Sequence, residues 1–149
     1  MNALPPLAVV GAGSMGGAIL RGLLASGVDP ASVAVSTRST ASAQAWGADG
    51  VRAIAVADDA TANAAAVVGA QVVLIGVKPA MVPDTLREIA DALEPGALVV
   101  SVAAGVSIAT MESIVPNPVV RAMPNTPALV RRAVTGIAAG SRTTDADLA

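Results

Sequence analysis

The sequence of 149 residues contains no cysteine, histidine, tyrosine or phenylalanine, and its only aromatic residue is Trp46. These absences exclude disulfides, cysteine nucleophiles, Ser-His-Asp triads, ordinary structural zinc sites and the usual phenolic proton donor. The chain has no row of aromatic side chains on which nucleic-acid bases could stack, and its net charge of −2 favours neither nucleic acid nor anionic membranes as partners. Catalysis within this chain must therefore use a cofactor, a backbone dipole, Lys78, a carboxylate or a hydroxyl.

Long apolar runs are also missing. No stretch reaches the ~18–20 residues that cross a bilayer, and the N-terminus lacks the basic segment that begins a secretion signal. We therefore expect a cytoplasmic protein with no membrane partner. The composition is that of a folded chain, with 54% hydrophobic and 13% charged residues, and the length predicts one domain with a substantial core.

A glycine-rich segment near the N-terminus is the most informative feature. The apolar residues Leu7–Val10 predict a short buried strand, Gly11–Gly16 is a G-x-G-x-x-G match, and apolar residues then recur at helical spacing. A strand, glycine turn and helix in this order open a dinucleotide-binding fold. Gly11 allows the tight turn, Gly13 lets a pyrophosphate approach the backbone, and Gly16 lets the helix pack on the strand. The helix N-terminus offers unpaired N–H groups and a positive dipole end to the phosphates.

The end of the second predicted strand, Val33–Val35, indicates which dinucleotide binds. A fold that prefers NAD places an Asp or Glu there, about 20 residues past the glycine motif, to bond the ribose 2′-hydroxyl. This chain has Ser36, Thr37 and Arg38 instead. Two hydroxyls and a guanidinium suit a 2′-phosphate, which a carboxylate would repel. The sequence therefore favours NADP over NAD, and the alternative is that Arg38 is a solvated surface residue.

The rest of the chain alternates strands and helices. Strands are predicted at 52–56, 71–77, 97–102, 119–121 and 135–139. Helices are predicted at 39–46, 79–93 and 107–114. An alanine-rich helix after Asp58 and Asp59 is predicted to end at about residue 68, and a last helix is predicted to begin at residue 145. This order is typical of a Rossmann-type α/β fold, with a doubly wound, mostly parallel sheet and helices on both faces. We expect Asp58 or Asp59 to cap the third helix and Asn63 to be a surface residue. Lys78, the only lysine, follows a strand at the edge where such sheets bind ligands, or is simply exposed.

Five segments carry a family resemblance: VVGAGSMGGAIL at 9–20, STR at 36–38, GVKP at 76–79, SVAAGVSI at 101–108 and RAMPNTPA at 121–128. In this order and spacing the chain closely resembles pyrroline-5-carboxylate reductase, the last enzyme of proline synthesis, over essentially its whole length. The resemblance implies that residues 1–149 are the NADP-binding Rossmann domain, with residues from about 142 beginning a linker or the first helix of a further domain.

The motif and the resemblance together indicate the site residues. Cofactor contacts are expected at Val10, Gly11, Ala12, Gly13, Ser14, Met15, Gly16, Ser36, Thr37, Arg38, Asn63, Gly76, Val77, Lys78, Pro79, Val102, Ala103 and Ala104. Asn125, Thr126 and Pro127 are expected near the nicotinamide and the substrate. Lys78 then becomes a contact to the cofactor ribose rather than a nucleophile, and no catalytic residue or metal ligand is assigned within the chain.

The resemblance also implies a reaction and an assembly. Members of the family carry a second, all-helical domain after the point where this chain ends, which interlocks two subunits and supplies most of the substrate pocket. The expected reaction is reduction of a small-molecule imine, 1-pyrroline-5-carboxylate, to L-proline by NADPH, in a full-length homo-oligomer, with little activity from this chain alone. Two alternatives stay open. One is a stand-alone NADP-binding or redox-sensing module, and the other is a further Rossmann reductase or dehydrogenase (β-hydroxyacid, prephenate or deazaflavin-linked).

Overall fold

The structure, a computed structural model, describes residues 3–124 and 135–149. The strands are β1 (Leu7–Val10), β2 (Val33–Thr37), β3 (Arg52–Ala55), β4 (Val72–Ile75), β5 (Leu98–Ser101), β6 (Val119–Pro124) and β7 (Thr135–Ala139). The α-helices are α1 (Ser14–Ala25), α2 (Thr40–Ala48), α3 (Ala62–Val67), α4 (Val82–Ile89), α5 (Ile108–Glu112) and α6 (Asp145–Leu148). Short 3-10 helices span Pro30–Ser32, Pro79–Met81 and Ala90–Ala92.

The described strands form one sheet in the order β3-β2-β1-β4-β5-β6-β7. Strands β1 to β6 run parallel, and β7 pairs antiparallel with β6. The chain moves outward from β1 to β3 and then returns to β4, so the strand order reverses between β1 and β4. The predicted Rossmann-type, mostly parallel sheet is confirmed. Such sheets bind ligands in the crevice at the carboxyl ends of the strands where the order reverses.

Helices cover both faces of the sheet because alternate strand residues point to opposite sides. On one face, Leu20 of α1 and Trp46 of α2 pack with Val9 and Val35. The core on the other face includes Val67 of α3, Leu86 of α4, Met111 of α5 and Ile75 of β4. Leu20 and Leu86 are fully buried, and burial of a leucine side chain stabilises a fold by about 1.5–3 kcal/mol.

Two local expectations about helix starts are wrong. Asp59 does not cap α3, because its carboxylate accepts hydrogen bonds from the N–H and the hydroxyl of Thr61 at 2.8 and 2.7 Å, before the helix begins. Asp58 does not cap it either, since its carboxylate accepts from the hydroxyl of Thr40. Pro79 begins a 3-10 turn rather than the α-helix, which starts only at Val82.

The segment after β7 is anchored to the end of α5. The Glu112 carboxylate accepts hydrogen bonds from the N–H of Ser141 at 2.6 Å and from its hydroxyl at 3.0 Å. The Arg142 guanidinium donates to the carbonyls of Val115 and Glu112. Burial opposes ionisation of Glu112, but the Ser141 hydrogen bonds and nearby Arg142 outweigh it, so the pKa of Glu112 lies below its ordinary value of 4.5. The ionised carboxylate therefore stabilises this anchor.

None of the helices within residues 3–124 and 135–149 combines the length and the apolar character that a membrane span requires.

Candidate functional site

One row of residues crosses the sheet at the carboxyl ends of its strands. Val10 of β1 is level with Ser36 of β2 and with Ile75 of β4. Ile75 is in turn level with Ser101 of β5. Strands β1, β4 and β5 end at this row, and β2 ends one residue beyond it at Thr37, so the loops that follow all leave on the same side. The register therefore brings the segments 11–16, 36–38, 76–79 and 102–104 to one edge of the sheet.

Three glycines let the turns after β1 and β4 touch backbone to backbone. A Cβ on Gly11, whose φ is +82°, would lie 2.7 Å from Cγ1 of Val77. A Cβ on Gly16 or on Gly76 would lie 2.8 or 2.6 Å from the carbonyl oxygen of Gly11. Real Cβ atoms essentially never approach so closely. A side chain on Gly11 or Gly76 would therefore push the two turns apart, and one on Gly16 would push α1 away from the turn that precedes it.

Gly13 is different because a side chain there would meet no neighbouring atom of the described residues. Its φ of −80° lies outside the left-handed region, and a Cβ would have no described atom within 4 Å. Gly13 precedes α1, whose first N–H groups have no partner within the helix and no capping side chain among the described residues. An open space beside unpaired N–H groups at a positive helix end suits a pyrophosphate. The residues present therefore fit a dinucleotide.

The three residues at the end of β2 have different surroundings. Ser36 is buried, and its hydroxyl oxygen accepts a hydrogen bond from the N–H of Gly11 at 3.2 Å. Thr37 is also buried, and its hydroxyl donates to the carbonyl of Ser39 at 2.9 Å. Arg38 is exposed at the edge of the sheet. Of the residues predicted to bind a 2′-phosphate, only Arg38 has a side chain directed mainly into solvent.

The loops after β4 and β5 complete this edge. Lys78 is exposed, and its carbonyl accepts from the N–H of Met81 at 2.9 Å, which starts the 3-10 turn. The N–H of Val102 donates to the carbonyl of Ile75 at 3.2 Å, and the N–H of Ala103 donates to the buried Ser101 hydroxyl at 3.3 Å. These bonds fix the small residues at 102–104 beside the end of β4.

Asn63 lies in the first turn of α3 and is half-buried. Its side-chain amide donates to the Glu88 carboxylate at 2.8 Å, which links α3 to α4. Sequence reasoning missed Glu88, because no local pattern relates two side chains that are 25 residues apart. Asn125, Thr126 and Pro127, predicted near the substrate, lie outside the described residues.

A groove of about 910 Å³ opens away from this edge, beside the amino-terminal ends of β4 and β5. Its described lining includes Gln71, Leu98 and the carboxylates of Glu94 and Asp147, with no basic side chain. Acidic groups would repel a pyrophosphate. The predicted edge, where Arg38 and Lys78 are exposed, is therefore the better site for an anionic dinucleotide.

Known proteins are similar to this chain in both sequence and fold. A family model described as "NADP oxidoreductase coenzyme F420-dependent" matches residues 6–105. A pyrroline-5-carboxylate reductase of Pseudomonas aeruginosa is 39% identical over 140 residues, which are 93% of this chain and 50% of that protein. The chain spans about half the length of the curated relatives it matches.

Two solved structures show the same likeness. The structure of a pyrroline-5-carboxylate reductase from Coxiella burnetii has a TM-score of 0.88 at 32% identity and covers 97% of this chain and 53% of that one. A Plasmodium falciparum pyrroline carboxylate reductase with NADP bound has a TM-score of 0.80 at 21% identity, covers 97% of this chain and 51% of that one, and so shows the fold alone. The chain thus belongs to the family of NADP oxidoreductases that the model describes, and it is homologous to about half of pyrroline-5-carboxylate reductase.

Proposed function

We propose that this chain is the NADP-binding domain of a cytoplasmic pyrroline-5-carboxylate reductase, which reduces 1-pyrroline-5-carboxylate to L-proline. The observation that carries the cofactor assignment is the open space at Gly13, beside the unpaired N–H groups that begin α1. The substrate assignment is supported by the resemblance of the five sequence segments and by the names of the relatives.

Arg38 supports a preference for NADPH over NADH. Its guanidinium is exposed just beyond the end of β2, where folds that prefer NAD carry a carboxylate. An arginine binds a phosphate through two parallel, charge-assisted hydrogen bonds. Lys78, exposed after β4, adds a second positive charge to the same edge of the sheet.

The chemistry needs little acid–base help from this chain. NADPH, when bound, supplies a hydride, and a protonated cyclic imine is already an electrophile. The residues of this chain would hold and orient the nucleotide. The glycine turn would receive the pyrophosphate, and the loops after β4 and β5 would form the neighbouring wall of the binding site. Positioning of two reactants accounts for a large share of such catalysis. The substrate pocket and the contact between subunits of a homo-oligomer are proposed to lie on the part of the relatives that this chain does not span.

Calorimetric titration of the chain with NADPH and with NADH tests the cofactor assignment. We expect saturable binding with NADPH clearly tighter, because only NADPH presents a 2′-phosphate to Arg38. Arg38→Ala should remove most of that difference while leaving NADH affinity nearly unchanged. Arg87→Ala is the matched control, since Arg87 is an exposed arginine on α4 that pairs with Asp84.

Each result has a clear meaning. Equal affinities for the two nucleotides in the unmodified chain would refute the role of Arg38 and leave the dinucleotide site standing. If neither nucleotide bound, the proposed site on this chain would be wrong.

The matched family model supplies a second candidate. Its description names coenzyme F420, a deazaflavin, together with NADP. A titration of the NADPH-loaded chain with coenzyme F420 separates the two reactions: binding of the deazaflavin would favour this candidate over imine reduction.

A further inference from the structure

Ser36 binds the glycine turn with both of its oxygens. Its hydroxyl oxygen and its carbonyl oxygen each lie 3.2 Å from the N–H of Gly11, and the carbonyl also accepts from the N–H of Ala12 at 3.1 Å. The residue is 1% exposed. The side chain thus acts on the turn that precedes Gly13, from the strand beside it.

We propose that Ser36 is a positioning residue, whose hydroxyl holds the glycine turn in its nucleotide-binding shape rather than recognising the 2′-phosphate. This inference rests on the proposed function and reassigns one residue of the same site. Two residues near the end of β2 then have different roles. Ser36 holds the turn that receives the pyrophosphate, which both nucleotides carry, and Arg38 binds the 2′-phosphate, which only NADPH carries.

The geometry explains why the turn needs such a support. Gly11 has a φ of +82°, and its carbonyl oxygen is packed against Gly16 and Gly76, where even one added carbon would collide. That carbonyl and the N–H of Ala12 belong to one peptide unit, which the Ser36 carbonyl holds through the Ala12 N–H. The Ser36 hydroxyl acts on the preceding unit, because the N–H of Gly11 belongs to the peptide between Val10 and Gly11. Since hydrogen bonds are directional, the two oxygens of Ser36 together fix the orientation of both peptide units that flank Gly11.

A second serine, at the end of β5, also binds backbone with its hydroxyl, although it acts on its own loop and not on the turn of a neighbouring strand. Ser101, level with Ile75 in the row across the sheet, is completely buried, and its hydroxyl accepts from the N–H of Ala103. Two strand-end serines therefore use their hydroxyls to hold the backbone of loops that form the site.

The decisive experiment measures NADPH and NADH affinities for Ser36→Ala. We expect both to weaken by roughly 3- to 10-fold, the effect of one hydrogen bond, with their ratio unchanged. Arg38→Ala, in contrast, should change the ratio. Ser32→Ala is the matched control, because Ser32 precedes the opposite end of β2 and its hydroxyl donates to Asp29 there; it should bind both nucleotides normally.

Weakening of NADPH alone would overturn the proposal, because it would place the hydroxyl on the 2′-phosphate. Unchanged affinity for both nucleotides would overturn it as well. Ser36→Cys keeps the shape of the side chain with a slightly larger atom that is a poorer acceptor, and it should weaken the binding of both nucleotides equally, even where the alanine variant fails to fold.

A measurement without any nucleotide separates this inference from the proposed function. Amide hydrogen exchange at Gly11 in the free chain should be faster in Ser36→Ala and Ser36→Cys than in the unmodified chain and in Ser32→Ala. Exchange at the same rate in all four would overturn the role of Ser36, whatever the nucleotide titrations show.

Discussion

The contrast between Gly13 and Gly76 gives the sharpest prediction for the site. A methyl group on Gly76 would lie 2.6 Å from the Gly11 carbonyl oxygen and 3.3 Å from Cα of Gly16. Both neighbours are backbone atoms that cannot turn aside. Forcing an extra carbon into such a contact costs about 1–3 kcal/mol. For a domain of this length, that corresponds to a fall in melting temperature of roughly 2–12 °C in Gly76→Ala.

Gly13→Ala should instead affect NADPH binding more than thermal stability. No described atom lies within 4 Å of the added carbon, so no packing is lost. The melting temperature should therefore fall less than in Gly76→Ala. The methyl group would occupy the space into which the pyrophosphate must come. A clash of about 1–3 kcal/mol predicts NADPH binding weakened by about 5- to 150-fold.

Thermal unfolding followed by circular dichroism, and NADPH titration of the same samples, measure both quantities. A large loss of stability in Gly13→Ala would show that the fold itself requires this glycine. Normal NADPH affinity in a stable Gly13→Ala would show that no phosphate group approaches this point. Either result would refute the reasoning that the open space at Gly13 is a phosphate site.

Three further predictions concern stability and activity. Because the pKa of Glu112 is lowered in the folded chain, its contribution to stability is present above its ordinary value of 4.5 and is lost as the pH falls below that value. Glu112→Gln should therefore flatten the decline of melting temperature as the pH is lowered from neutral to below 4.5, and an unchanged profile would contradict this. The buried Asn117 amide donates to the carbonyls of Glu94 and Ala97 at 3.0 Å, so Asn117→Ala should destabilise the fold by about 1–3 kcal/mol, measured by urea unfolding. A steady-state assay with 1-pyrroline-5-carboxylate and NADPH should show little or no turnover for the 149-residue chain, and turnover at the rate of a full-length reductase would exclude that expectation.

The sequence predicts the parts of the site that depend on short-range patterns of apolar residues and glycines. The strand, glycine turn and helix at 7–25 follow from apolar spacing and from the positions of three glycines. The shared edge follows because parallel strands end on the same side, so the loops after β1, β2 and β4 leave the sheet at one edge.

The direction of individual side chains could not be predicted in this way. A serine at a strand end can face solvent or a neighbouring turn, and the register between β1 and β2 decides which; here it directs the Ser36 hydroxyl to Gly11. The bond from Asn63 to Glu88 likewise depends on how α3 packs against α4. The prediction that Asp58 or Asp59 caps α3 is wrong for a related reason, since the Asp59 carboxylate accepts from Thr61 before the helix begins.

Trp46 gives this chain an optical property of its own. It is the sole aromatic residue, its ring packs close to Gly17 near the start of α1, and the Arg21 guanidinium lies 5.0 Å from the ring centre. All ultraviolet emission of the unlabelled protein therefore comes from one fluorophore beside the helix that begins at the glycine turn. Tryptophan emission overlaps the absorption of a reduced nicotinamide. Energy transfer from Trp46 to a bound reduced nicotinamide would therefore report binding in real time, without any added dye. Oxidised nucleotide would give no such transfer.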